Sequence, residues 1–118
     1  MIQKIVEDLV TSVRGGQAAI FIDGDGESIA HTGSTIVDLK LIGAWKEIHF
    51  DQIKEITERL SLGKVHAVLF SQDEGNVLVA PVAEEYCLML FISSLADVRE
   101  AMVNIERATM QLKRDIDE

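Results

Sequence analysis

Three histidines, one cysteine and twenty carboxylates are the side chains with chemistry to offer in this 118-residue sequence. His31, His49 and His66 fall on three separate segments, and none forms a His-Glu-x-x-His pair. With a single cysteine there is no Cys/His set for zinc. Asp23-Gly-Asp-Gly26 puts carboxylates at positions one and three of a calcium loop. The glycine then comes fourth rather than sixth, however, and Ser34 stands where the bidentate Glu belongs. A turn is the better reading. Gly63-Lys64 is followed by Val65 and preceded by Glu58 where a phosphate loop needs glycine. Gly24-Asp25-Gly26 runs into a strand, not a helix N-terminus, so it offers no dinucleotide site. Gly33-Ser34 lacks the flanks of a nucleophile elbow. Asp73-Glu74 and Glu84-Glu85 are neighbours in turns, the pattern of solvated charge rather than of an acid/base pair. No catalytic, metal or cofactor constellation is therefore expected. An enzyme is the weaker reading, although groups can converge from distant positions.

Composition narrows the partners. The net charge is −9, the pI about 4.7, and only 11 residues are basic and scattered. Nucleic acid and anionic membrane surfaces both reward clustered Lys and Arg, so neither is expected. Hydrophobic residues at 47% and charged residues at 26% fit an ordinary globular chain, read as one domain over 1–118. There is no run of 18 apolar residues and no basic, apolar leader, so a soluble, unexported protein is expected. Cys87 lies inside the apolar run Tyr86–Ile92, reads as a core residue, and fits a reducing cytoplasm.

The elements that must position these residues follow from periodicity. Ile2, Ile5, Val6, Leu9, Val10 and Val13 recur at helical steps, with Gly15-Gly16 as the stop. Ala18–Ile22 and Ser28–Thr32 flank the Asp-Gly turn as a hairpin. Gly33–Val37 reads as a loop, Asp38 as the N-cap of a long helix to Leu60, and Gly63 as its C-terminal glycine. Val65–Phe70, Val77–Ala80 and Cys87–Ile92 form an antiparallel meander, with turns at Gln72–Asn76 and Ala83–Glu85. Asp97 caps the last helix, and Glu100 sits in capping-box spacing. The expected class is α+β, ordered α-β-β-α-β-β-β-α. A five-stranded antiparallel sheet carries the long helix on one face and the two terminal helices on the other, since continuous apolar strands need both faces covered.

The long helix carries two apolar stripes. Leu39, Ile42, Phe50, Ile53, Ile56 and Leu60 should pack on the core. Leu41, Ala44, Trp45 and Ile48 form a surplus stripe. His66 aside, Val65–Phe70 has neither charge nor proline to block further strand pairing. Together the surplus stripe and Val65, Ala67, Val68, Leu69 and Phe70 read as the contact of a two-fold homodimer.

Several stretches carry a family likeness. Gly16-Gln-Ala-Ala-Ile-Phe-Ile-Asp-Gly-Asp-Gly26, Leu78-Val-Ala-Pro-Val82 and Leu95-Ala-Asp-Val-Arg99, taken with the element order, resemble the Roadblock (dynein light-chain) domain over nearly the whole chain. Trp45–Phe50 departs from it, being bulkier and more polar than the family's small-residue helix. The resemblance implies dimers whose sheets join across a strand edge and whose middle helices pack side by side. It also implies binding of Ras-like small GTPases, often by a stand-alone bacterial or archaeal regulator. On that reading the chain is a non-enzymatic regulator or scaffold, with Lys40, Glu47, Asp51 and the turn around Asp73 as partner contacts. Any effect on GTP hydrolysis would come from holding the GTPase's own loops; no arginine is marked for donation in trans. The alternative is a small-molecule sensor with a pocket between sheet and helix, lined by His31, Thr32, His66, Ser93 and Ser94.

Overall fold

The computed structural model describes residues 1–33 and 39–117, the side chains of 39–47 excepted. The expected loop at 34–37 and N-cap at Asp38 lie outside the described residues. The order is α1 (Ile2–Ser12), β1 (Gly16–Ile22), β2 (Ser28–Gly33), α2 (Leu39–Arg59), β3 (Val68–Gln72), β4 (Gly75–Val82), β5 (Tyr86–Ile92) and α3 (Val98–Asp117). All pairings are antiparallel, and the strands lie in the order β2-β1-β5-β4-β3. The expected layout is the one observed.

Alternation along each strand divides the core in two. Ala19, Phe21, Ala30, Leu78, Ala80, Leu88, Leu90 and Ile92 face α1 and α3, meeting Val6 and Leu9 from one helix and Ala101, Ile105, Ala108 and Leu112 from the other. Ala18, Ile20, Ile22, Val77, Val79, Cys87, Met89 and Phe91 face α2 and meet Phe50. Both faces of the inner strands are thus dry, which is why those strands read as unbroken apolar runs. Each fully buried aliphatic side chain contributes about 1.5–3 kcal/mol of burial.

Local chemistry sets the joins. Asp23 Oδ1 accepts the N–H groups of Asp25 and Glu27 at 2.9 and 3.0 Å, and Gly26 takes a positive φ of 81°. That carboxylate builds a turn. At the other end of β1, the Ser93 N–H donates to the Gly15 carbonyl at 2.8 Å. A Cβ on Gly15 would lie 2.9 Å from that of Ala96, and its φ of 86° is also left-handed, so the two loops meet only over glycine.

Two expectations are corrected. Strand β3 begins at Val68, not Val65, because of the strand beside it. Continuing the Val68–Val79 register would set His66 against Pro81, which has no N–H for a ladder. Helix α2 is closed by Ser61, not Gly63. The Leu62 N–H donates to the Thr57 carbonyl at 3.0 Å and the Ser61 N–H to that of Glu58 at 3.1 Å, a Schellman arrangement with Ser61 left-handed at φ 57°.

Candidate partner-binding surfaces

The inner-strand residues under α2 are buried, but the described part of the helix itself is only partly so. Phe50 is buried and Ile53 half-buried, so the first two turns of the expected core stripe that are described do pack inward. Its continuation does not. Ile56 and Leu60, together with Ile48 and Leu62, stand 56–69% exposed. Helical spacing assigns residues to one side of a helix but cannot tell where the sheet beneath it ends. Among the described residues, exposed apolar side chains therefore extend beyond the expected stripe to the C-terminal end of α2. Ile48 is the one member of the expected surplus stripe whose side chain is described. Leu41, Ala44 and Trp45 lie outside the described side chains, as do Lys40 and Glu47.

β3 is an edge strand. Its residues Val68-Leu-Phe-Ser-Gln72 contain no charge and no proline. Val65, Val68 and Phe70 turn toward α2 and are half-buried, whereas Ala67 packs on the α1/α3 side. Leu69, between Val68 and Phe70, shares the side of Ala67. The five residues named from sequence as one contact thus divide between two faces, and Val65 and Ala67 precede the strand. At the opposite edge, β2, Gln3 of α1 donates its amide N–H to the His31 carbonyl at 3.0 Å.

The other expected partner contacts do not form one patch. Asp51 is exposed on α2 and lines a cavity of about 620 Å³ with Lys54, Asp23, Asp25, Glu84 and Glu85, at the end of the sheet holding the β1–β2 and β4–β5 turns. Asp73 is exposed in the β3–β4 turn, at the other end of eight-residue β4. A strand of that length spans roughly 25 Å, so the two carboxylates cannot serve one small contact. The residues expected to line a sensor pocket do not converge either. His31, His66 and Ser94 are exposed, Thr32 and Ser93 are half-buried, and none lines the cavities beside α2.

The layer of α1 and α3 is tied at both ends. Asp97 Oδ1 accepts the Arg99 N–H at 2.9 Å, the expected N-cap. Glu100 does not close a capping box. Its Oε1 accepts the backbone N–H of Arg14 at 2.7 Å, and Oε2 accepts from the Arg14 guanidinium at 3.3 Å. The backbone hydrogen bond, then the guanidinium, hold the Glu100 carboxyl below its ordinary value of 4.5. At the far end the N-terminal amine pairs with Asp115 at 3.1 Å.

The molecule is thus a three-layer α-β-α sandwich with β3 at one sheet edge and, on α2, exposed apolar side chains. No helix of the described residues is long and apolar enough to cross a membrane. No protein-family sequence model matches the chain, and neither does any curated protein. Solved structures do match. A Roadblock/LC7 domain from Streptomyces avermitilis superposes with a TM-score of 0.89 at 15% identity, over 98% of each chain. MglB of Myxococcus xanthus superposes with a TM-score of 0.88 at 10% identity, over 98% of this chain and 94% of that one. An MglB with a tetrameric arrangement gives 0.86 at 16% identity, over 96% and 85%. The chain has the Roadblock/LC7 fold.

Proposed function

We propose that this protein is a non-enzymatic regulator or scaffold that works as a two-fold homodimer and binds a Ras-like small GTPase. The observation that carries the reading is the coincidence of an edge strand without charge or proline with exposed Ile48, Ile56 and Leu60 on α2. An isologous contact joining β3 to its copy would extend the sheet across that edge, and α2 packing beside its copy would cover the exposed apolar side chains. Val65, Val68 and Phe70 would lie on the α2 side of that seam, Ala67 and Leu69 on the other, with Leu41, Ala44 and Trp45 extending the helix contact. The tetrameric arrangement of an MglB of the same fold supports self-association. The Roadblock likeness supplies the GTPase as partner class, with Lys40, Glu47 and Asp51 on α2 as its contacts. Asp73, at the other end of the sheet, would belong to a separate contact.

Binding is tested by titrating the chain with the Ras-like GTPases of its own genome, each loaded with GDP or a non-hydrolysable GTP analogue. Affinity for one of them that differs between nucleotide states is expected. A folded, dimeric protein that binds none of them in either state would sink the GTPase assignment.

A further inference from the structure

Two groups of charge, at different places on this chain, lack counter-charges among the described residues. The first is on α3. That helix holds four basic and four acidic side chains. Two of the acids, Glu100 and Asp115, turn inward and pair with Arg14 and the N-terminal amine. Outside remain Arg99, Arg107, Lys113 and Arg114 against Glu106 and Asp117. Glu106 and Lys113 share a flank and offset one another. Arg99, Val103, Arg107, Met110 and Arg114, three or four residues apart, make the outermost ridge, with Val103 and Met110 61% and 55% exposed. None of the described ion pairs includes these three arginines, and Arg107 donates to the Asn104 amide oxygen at 2.8 Å.

The second group is at the sheet end that carries the β1–β2 and β4–β5 turns. Asp25, Glu84 and Glu85 stand exposed there around the cavity of about 620 Å³, and no described ion pair includes them. Asp23 is spent on its own turn, and Asp51 and Lys54 on the α2 wall carry one charge of each sign. Among the described residues, no three His, Cys, Asp or Glu side chains are grouped so as to hold a metal ion. The negative charge is spread over two turns and suits separate cations. In the strand order β2-β1-β5-β4 the centres of those turns are two strand spacings, about 9.6 Å, apart. Arg107 and Arg114, seven residues apart, are separated by about 10.5 Å along their helix, with Met110 between them.

We infer that the outer ridge of α3 in one chain seats on the turn end of a second copy, Arg107 and Arg114 meeting Asp25 and the Glu84–Glu85 pair while Met110 enters the cavity. The occupant is a second copy because the concave acidic surface and the convex basic one belong to the same chain, with matching spacings. The two surfaces are different, so the contact is heterologous: each copy added leaves one free ridge and one free turn end. Each chain carries −9, which opposes association at long range. At physiological salt, charges more than about 8 Å apart are largely screened, and the facing groups decide. Exposed ion pairs over a small area make a weak association. The contact uses neither β3 nor the exposed side chains of α2, so it stands apart from the dimer reading.

Light scattering on the full chain tests this, from about 10 μM to about 1 mM protein in about 0.15 M salt. The mean mass is expected to climb past that of a dimer, and the climb to vanish in about 1 M salt. Glu84→Arg with Glu85→Arg, and separately Arg107→Glu with Arg114→Glu, change only exposed positions, and each pair should hold the mass flat. Mixed in equal amounts, the two variants should climb again, because one keeps the basic ridge and the other the acidic turns. Exchange of subunits across a β3 seam leaves the mass unchanged and cannot imitate this rescue. Glu74→Arg, at the far end of the sheet, should leave the climb as it is. A flat mass in the unmodified protein, a climb that survives either swap, or a mixture that stays flat overturns the contact. The mass at the lowest concentration, one chain or two, reports separately on the dimer.

Discussion

The two faces of the sheet are finished to different standards. On one, α1 and α3 bury their apolar stripes and are tied by Arg14–Glu100 at one end and by the N-terminal amine and Asp115 at the other. On the other, a single helix buries Phe50 and leaves Ile48, Ile56 and Leu60 in water. At the edges, α1 reaches over β2, whereas β3 lies at the margin of the sheet with Leu69 exposed. A monomer that buries a comparable stripe on one side has no stability reason to expose one on the other. On the reading proposed above, the exposure on α2 reflects what that surface meets, and each face can be tested separately.

The largest effect separates buried from exposed leucine. Leu112→Ala removes a fully buried side chain from α3 and should cost about 2–5 kcal/mol in urea unfolding. Leu60→Ala, on the open face, should stay within about 0.5 kcal/mol for the monomer. Similar costs at both sites would mean that Leu60 is covered in solution, and the dependence of its cost on protein concentration would say whether a second copy covers it. Next in size, Ile56→Glu should weaken self-association by roughly 2–3 kcal/mol, read as a shift from dimer to monomer in light scattering on dilution. A dimer that holds its mass would remove α2 from the interface.

The layers were legible in the sequence; the boundaries that matter for function were less so. Period-3.6 spacing in 2–13 and 98–116 and unbroken apolar strands were enough to put two helices on one face and one on the other. The same spacing grouped Ile56 and Leu60 with Phe50, because a helical wheel has no information about the width of the surface below. Val65–Ala67 looked like strand because its apolar character is genuine, but Pro81, which limits the pairing, sits on another strand. Glu100 was recognisable as a capping residue from Asp97. Its actual partner is a backbone N–H 86 positions away, which no local pattern reports.

A smaller effect sharpens the account of where α2 ends. Ser61 closes the helix in a left-handed conformation that costs a residue with a Cβ about 1 kcal/mol. Ser61→Gly should recover much of this, offset in part by the greater freedom of the unfolded glycine, and raise the denaturant midpoint slightly. Gly63→Ala is the paired control. Gly63 is also left-handed, at φ 88°, but has open space around it, so the substitution should destabilise through backbone strain without steric clash. A midpoint lowered by Ser61→Gly would mean that the serine hydroxyl matters more than its backbone.

The smallest effect concerns the closed face and is read against pH. Glu100 is held below 4.5 in the folded protein, chiefly by the Arg14 backbone N–H and then by its guanidinium, with desolvation and, less, the Asp97 charge opposing. A carboxylate whose folded value is depressed contributes stability above its unfolded value, and that contribution is lost as pH falls through the folded one. The melting temperature of Glu100→Gln should therefore lie below that of the unmodified protein at about pH 7, and the gap should narrow below pH 4.5. Arg14→Ala keeps the backbone N–H, so it should open a smaller gap with the same pH course. A gap for Glu100→Gln that stays constant down to acid pH would mean the carboxylate acts through packing, and that the tie between the α1–β1 loop and α3 owes nothing to its charge.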